Sequence, residues 1–191
     1  LGDTTINGEP GFYDGPFMVT VETETPDTVV RYTTDGSAPT ASTGMAYSGP
    51  IQIESTTTLR AAAFKEGHVP SNVATQSYVF LDEVSRQPQD QPDLPTEWMW
   101  TGDRNYYPAD YEMDQTIVDD PAYRDEMIDS LKSLRTMSIV MDHEDLWGRR
   151  GIYNNATSTG AALRRSASLE YFDPNTMEEF QVNAGVQMHG G

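Results

Sequence analysis

Along the first 80 residues, apolar and β-branched residues alternate with polar ones, which is the pattern of half-buried strands. Phe17, Val19 and Val21 share one face of residues 17–22, and the residues between them share the other. Further short strands are predicted at residues 29–33, 51–53, 58–64 and 73–80. Glycine and proline turn signals separate these runs, and among them Asp35-Gly36 predicts a tight turn after a strand. The pattern therefore predicts a small β-sandwich over residues 1–81.

Residues 82–107 interrupt the pattern with polar residues and prolines at 88, 92 and 95. Proline breaks both helices and sheet ladders, so this stretch is predicted to be an extended, semi-rigid linker. An aromatic cluster stands at its end, formed by Trp98, Trp100, Tyr106 and Tyr107. Two interpretations are open: the flat rings stack on sugars, or they bury apolar area and hold the linker against a domain. We favour the second.

Residues 108–191 combine the hydrophobic period of helices with that of strands. Asp120 followed by Pro121 predicts a helix start, and the helix is expected to end near residues 133–134. A buried strand is predicted at residues 136–141 and one helical turn at residues 142–147. Later strands are predicted at residues 168–172 and 180–188, with a turn at residues 173–175. Strands combined with a helix indicate an α/β or α+β region, here a partial one.

Composition narrows the functional classes. The chain of 191 residues has 30 acidic and 12 basic side chains, a net charge of −18, and no cysteine. A disulfide framework and a thiol nucleophile are thereby excluded, and a nucleic-acid partner is not expected for so acidic a chain. No apolar run reaches the roughly 18 residues of a membrane helix, so no membrane span is predicted. The acidic excess runs through both halves, which favours general solvent adaptation over one divalent-cation site.

The candidates for catalytic and metal-binding residues rest on incomplete motifs. His143 and Glu144 begin like a zinc H-E-x-x-H motif, but Trp147 stands where the second histidine is required. The arginine pairs 149–150 and 164–165 are candidates for phosphate contact, although surface pairs are the favoured interpretation. No Walker or G-x-G-x-x-G segment occurs. We therefore predict no catalytic residue, no metal site and no cofactor within this chain.

Four segments of the predicted sandwich resemble a known family: residues 11–17, 31–40, 47–51 and 57–64. The most specific is Tyr-Thr-Thr-Asp-Gly-Ser-x-Pro at residues 32–39. These segments resemble the small sandwich module at the C-terminus of chitobiase and hexosaminidase enzymes. That resemblance implies an immunoglobulin- or fibronectin-like β-sandwich without catalytic residues of its own. Together with the partial α/β region that follows it, the predicted fold is mainly β.

Residues 108–191 carry a second resemblance, in the segments 108–114, 120–123, 134–140, 151–154, 168–172 and 180–191. They resemble the N-terminal part of CotH-type proteins, the spore-coat kinase family and its secreted bacterial relatives. The resemblance implies that ATP and Mg²⁺ bind only to a longer parent protein. A strand that runs into Gly190-Gly191 is an unusual place for a domain to end, so we expect the chain to be a fragment.

Three functional hypotheses follow. The first is a non-catalytic accessory or attachment fragment of a large secreted bacterial CotH-like protein. The second is the N-terminal portion of a CotH-type kinase whose active site lies beyond residue 191. The third is a structural subunit of an extracellular assembly, in which sandwich edges pair between chains. The expected partners are carbohydrate, another extracellular protein or a second copy, and the expected location is secreted or on the cell surface.

Overall fold

A computed structural model of the chain describes residues 1–92, 94–99, 105–158 and 160–188. The strands among these residues are β1 (Thr4–Asn7), β2 (Gly11–Phe12), β3 (Phe17–Thr23), β4 (Val29–Thr33), β5 (Met45–Ala46), β6 (Ile51–Ile53), β7 (Thr57–Phe64), β8 (Ala74–Val79), β9 (Glu97–Met99), β10 (Tyr106–Pro108), β11 (Thr136–Val140), β12 (Arg165–Asp173) and β13 (Glu178–Val186). The helices are α1 (Leu81–Val84), α2 (Gln115–Val118), α3 (Arg124–Lys132) and α4 (His143–Leu146), and a 3₁₀ turn covers Ala161–Leu163. The described part of the chain is therefore mainly β.

The first eight strands form two facing sheets, consistent with a β-sandwich. One sheet has the order β2-β8-β7-β4-β5, and the other has the order β1-β3-β6. Pairing is antiparallel except between β2 and β8. Between the sheets lies a core of buried apolar side chains that includes Ile6, Val19, Val21, Val30, Ile51, Ile53, Leu59, Ala61, Ala63, Tyr78 and Phe80. Alternation along the strands places these side chains on the inner faces, and their burial is the main stabilising term.

The strands predicted from alternation coincide with β3, β4, β6, β7 and β8 to within a residue at most ends. The pattern did not reveal β1, β2 and β5, which have two to four residues each. β2 and β5 have two residues each, too few to show alternation, and the four residues of β1 include only one strongly apolar side chain, that of Ile6. The predicted turn at Asp35-Gly36 is confirmed: Gly36 has φ of 80°, in the left-handed region where glycine is favoured.

A third sheet, with the order β11-β12-β13, lies on the outer face of the sandwich. All of its strand pairs are antiparallel. Arg60 and Ala62 point away from the sandwich core on β7 and are nevertheless buried, at 7% and 1% exposure. The five-stranded sheet is therefore covered on both faces, on one side by β1-β3-β6 and on the other by β11-β12-β13.

The far face of the third sheet is apolar and carries the side chains of Met137, Ile139, Leu169, Tyr171, Phe180 and Val182. Four of these, on β11 and β13, are each about half exposed. Tyr171 and Phe180 stack with ring centroids 5.4 Å apart. The strand predicted at residues 136–141 is confirmed as β11, but it is not fully buried, since Met137 and Ile139 face away from the sandwich.

The helices are short and lie beside the sheets. The helix begins three residues later than predicted, with Tyr123 instead of Asp120 at the N-cap, because the Asp120 carboxylate accepts a hydrogen bond from the Ala122 N–H and holds a turn before Arg124. The predicted turn at residues 142–147 is confirmed as α4, which Asp142 and Trp147 flank. The assignment of this region as a partial α/β or α+β domain stays a prediction. Among the described residues, none of the helices has the length and apolarity to cross a membrane.

Candidate functional site

The sandwich and the third sheet meet around Glu170, which lies on the inward face of β12. Its side chain is 0% exposed. The backbone N–H and the hydroxyl of Ser77, on β8, donate to the two carboxylate oxygens over 3.0 and 2.6 Å. Ser138, on β11, lies 2.7 Å from the Ser77 hydroxyl. One buried carboxylate therefore joins three strands, one from the sandwich and two from the third sheet.

Burial dominates the electrostatics of Glu170. Removal from water disfavours the carboxylate and raises the pKa of Glu170, and hydrogen bonds from Ser77 and Ser138 oppose that shift. The buried carboxylate is engaged by hydroxyl and backbone groups of the two sheets. Its role in this arrangement is to hold the two sheets together.

A second polar contact between the sandwich and the residues after it lies at Arg60, on β7. The Asp142 carboxylate accepts a hydrogen bond of 2.9 Å from the Ala38 backbone N–H and lies 3.6 Å from Arg60 Nη1. Arg60 Nη1 also donates to the Gly36 carbonyl over 3.0 Å. The tight turn at Gly36 thus brings a loop of the sandwich to the start of α4.

Further contacts lie at this junction between the sandwich and the residues that follow it. Phe12, on β2, packs edge-to-face on Phe172, with ring centroids 5.4 Å apart. Lys132, at the end of α3, donates to both carboxylate oxygens of Asp14 over 2.5 and 2.7 Å. The junction is therefore held at both ends and in the middle, by apolar, charged and hydrogen-bonded contacts.

The aromatic cluster lies on the β9–β10 hairpin. Trp98 and Tyr107 are paired across the hairpin, and Tyr106 occupies the next position, on the opposite face. Trp98 donates to the hydroxyl of Tyr111 over 3.3 Å, and the two rings meet edge-to-face. Trp100 lies outside the described residues. The structure therefore places Trp98 with Tyr107 and separates Tyr106 from them, and a ligand for this cluster stays a prediction.

The other candidates from the sequence are dispersed. Within the described ranges, no three His, Asp or Glu side chains are grouped so that they could hold a metal ion. His143 begins α4, and His189 lies outside those ranges. Of the arginine pairs, Arg164 is exposed, whereas Arg165 is largely buried, donates to the Arg150 carbonyl and lies 3.4 Å from Asp145. Arg165 is thus partly buried and engaged by other residues of the chain.

The sequence analysis did not identify Glu170, Ser77 or Arg60. Alternation along β12 puts Glu170 on the same face as Ser168 and Phe172. A carboxylate on the same face as an aromatic ring was the available signal. It could not show which face was buried, since that depends on contact with a sandwich over ninety residues away.

Residues 9–75 match the family model described as the chitobiase/beta-hexosaminidase C-terminal domain. This match agrees with the resemblance found in the sequence and with the two facing sheets of the structure. The match ends before the third sheet, and the resemblance of residues 108–191 to CotH-type proteins stays a prediction. No curated protein and no solved structure matches the chain.

Proposed function

We propose that the chain is a non-catalytic accessory or attachment part of a large secreted bacterial protein, in which the sandwich supports the first segment of a CotH-like domain. The observation that carries the proposal is the family match over residues 9–75. The packing supports it, because the inward side chains of the five-stranded sheet form a core and the outward ones meet the third sheet. The side chains at the centre of β7 and β8 are thus engaged in structural contacts.

Titration calorimetry with ATP and Mg²⁺ tests the non-catalytic role. We expect the 191-residue chain to show no saturable heat, whereas a stoichiometric nucleotide site on this chain would contradict the proposal. Attachment is tested separately by cosedimentation with insoluble chitin and cellulose. Retention on one of them, with recovery in the soluble fraction when no polysaccharide is added, is the outcome expected of an attachment module.

The exposed apolar face of the third sheet favours a second candidate, the N-terminal portion of a CotH-type kinase. A sheet with an apolar face is stabilised by packing against another layer. In this hypothesis that layer and the nucleotide site are both supplied by polypeptide beyond residue 191. It predicts that ATP and Mg²⁺ bind to a longer chain of the same protein and not to the 191-residue chain.

The same face is compatible with the third hypothesis, a structural subunit that associates with copies of itself. Light scattering over a range of protein concentrations separates this hypothesis from the other two. A subunit of an assembly gains mass as concentration rises, and a strict monomer at high concentration counts against it. A net charge of −18 opposes close approach of two copies at low salt, so the measurement is made at low and at high ionic strength.

A further inference from the structure

A cleft of about 530 Å³ opens at one end of the junction, between β7 and the paired ends of β12 and β13. Three arginines line it, Arg60, Arg164 and Arg165, together with a single carboxylate, that of Asp142. In a chain with 30 acidic and 12 basic residues, a local excess of positive charge is unexpected. The cleft is a distinct electrostatic feature of the molecule.

Arg60 brings a buried guanidinium to this cleft. The residue is 7% exposed, and within the described part of the chain its Nε has no hydrogen-bond partner. Its Nη1 is engaged by the Gly36 carbonyl and by Asp142. Burial of the guanidinium lowers the pKa of Arg60, and the Asp142 and Asp35 carboxylates only partly offset that effect. A cation that is buried and incompletely paired is stabilised by an additional anion.

Arg164 reaches the same cleft from the start of β12, and a glycine makes room for it. A Cβ atom at Gly185 would lie 2.3 Å from Arg164 Cδ and 2.6 Å from its Cγ. The Arg164 stem therefore lies across β13 where Gly185 has no side chain. Among the described residues, Arg164 makes no ion pair, whereas Arg165 is occupied by the Ala162 carbonyl and by Asp145.

We propose that this cleft binds an oxyanion group, such as a carboxylate, phosphate or sulfate, carried by a ligand of about monosaccharide size. Arg60 and Arg164 contribute the guanidinium groups, whose planar fork suits such an anion. The volume is much larger than a bare ion requires and lies in the range of small-molecule sites. Ser166 adds a hydroxyl to the wall, and Asn183 adds an amide whose nitrogen already donates to the Val73 carbonyl. Asp142 pairs with Arg60 and Asp145 pairs with Arg165, so among these three arginines Arg164 is the one whose charge no carboxylate of the described residues balances, which suits a ligand carrying a single charge.

Titration calorimetry at low ionic strength, with the 191-residue chain, tests the proposal with three probes. D-glucuronate is expected to bind saturably. Glucose, which matches it in size and lacks the charge, is expected to bind at least about tenfold more weakly. Inorganic phosphate distinguishes an ion in free solution from an oxyanion on a larger ligand. If phosphate binds and glucuronate does not, the assignment of a monosaccharide-sized ligand is overturned.

Two variants locate the site. Arg164→Gln removes a guanidinium, and Gly185→Ala displaces the Arg164 stem without a change of charge. Each is expected to weaken glucuronate binding about tenfold.

Arg124→Gln is the matched control, because Arg124 is an exposed arginine on α3 that pairs with Asp125, and it should bind as the wild type does. Thermal unfolding confirms that each variant is folded. Absence of saturable binding by all probes, or binding that both cleft variants leave unchanged, would overturn the proposal.

Discussion

Glu170 shows how one residue joins two sheets at a cost. Its carboxylate receives hydrogen bonds from Ser77, yet burial still raises the pKa of Glu170, so loss of water outweighs those bonds. A buried charge that is hydrogen-bonded gives a defined geometry more than it gives net stability. The hydrogen bonds and the buried charge therefore make opposite contributions to the free energy of unfolding, and substitutions can separate the two contributions.

Glu170→Gln and Glu170→Ala are the variants that do so. The amide of glutamine keeps the size of the side chain, accepts from the Ser77 N–H and removes the buried charge, so the free energy of unfolding should stay within about 1 kcal/mol of wild type at neutral pH. Alanine leaves the Ser77 N–H unpartnered next to a cavity and should lower that free energy by about 1–3 kcal/mol. Urea unfolding measures both values. Equal losses in the two variants would show that the hydrogen bond to Ser77 contributes nothing.

Because the pKa of Glu170 is raised, the direction in which this residue changes the free energy of unfolding with pH is fixed. Between its ordinary value of 4.5 and the higher folded-state value, the folded chain binds more protons at this site than the unfolded chain does. The contribution of Glu170 is therefore fully present below pH 4.5 and decreases as pH rises through the folded-state pKa. We expect the difference in unfolding free energy between wild type and Glu170→Gln to favour wild type most at low pH.

A series of urea titrations on both proteins from pH 4.5 upward measures this difference. Subtraction of the variant removes the opposite effect of Asp35 and Asp173, whose pKa values hydrogen bonds lower. A difference that grows with rising pH would contradict the assignment.

At the scale of the elements, alternation was sufficient to predict the long strands of the sandwich, because each has one face in the core and one face outside it. It was not sufficient for β11. The apolar residues at 137 and 139 suggested burial, but these positions face away from the sandwich, and the small polar Ser138 faces toward it. Around Ser77, Ser138 and Glu170 the junction is polar where most protein layers are apolar, so a hydrophobic pattern assigns the wrong face of β11 to the interior.

The exposed face of the third sheet should behave as an apolar binding surface for dyes. Wild-type chain is expected to enhance the fluorescence of anilinonaphthalene sulfonate, because Met137, Ile139, Phe180 and Val182 are each about half exposed on one face. The double variant Ile139→Lys and Val182→Lys should lose most of that enhancement. Since these side chains lie outside the core of this chain, the variant should remain folded by circular dichroism.

Val69→Lys is the matched control for this experiment. Val69 is 80% exposed and lies in a loop of the sandwich, away from the third sheet. It should leave dye fluorescence unchanged, and an equal loss in this variant would mean that general charge, rather than the sheet face, governs dye binding.

For the whole molecule, the sequence predicted two regions separated by a linker, and the structure shows direct packing between them. The linker segment contains α1 and the β9–β10 hairpin, and Arg86 pairs with Asp119 beyond it. Neither proline spacing nor composition could indicate this packing. It depends on single long-range contacts, such as those of Ser77 with Glu170 and of Lys132 with Asp14.

Such packing predicts that the sandwich and the third sheet unfold together. Two of the three tryptophans lie in the linker segment and the third, Trp147, lies in the second region, so tryptophan fluorescence reports the chain after the sandwich and not the sandwich itself. Leu59→Ala removes a fully buried side chain from the sandwich core and should cost about 2–5 kcal/mol. If the junction couples the two regions, the urea midpoint followed by tryptophan fluorescence falls by as much as the midpoint followed by circular dichroism.

Val29→Ala, at a half-exposed position on β4, serves as the control and should shift neither midpoint appreciably. A tryptophan transition that stays at its wild-type midpoint in Leu59→Ala would mean that the second region is stable without the sandwich, and that the contacts around Glu170 align two independent units instead of joining them into one.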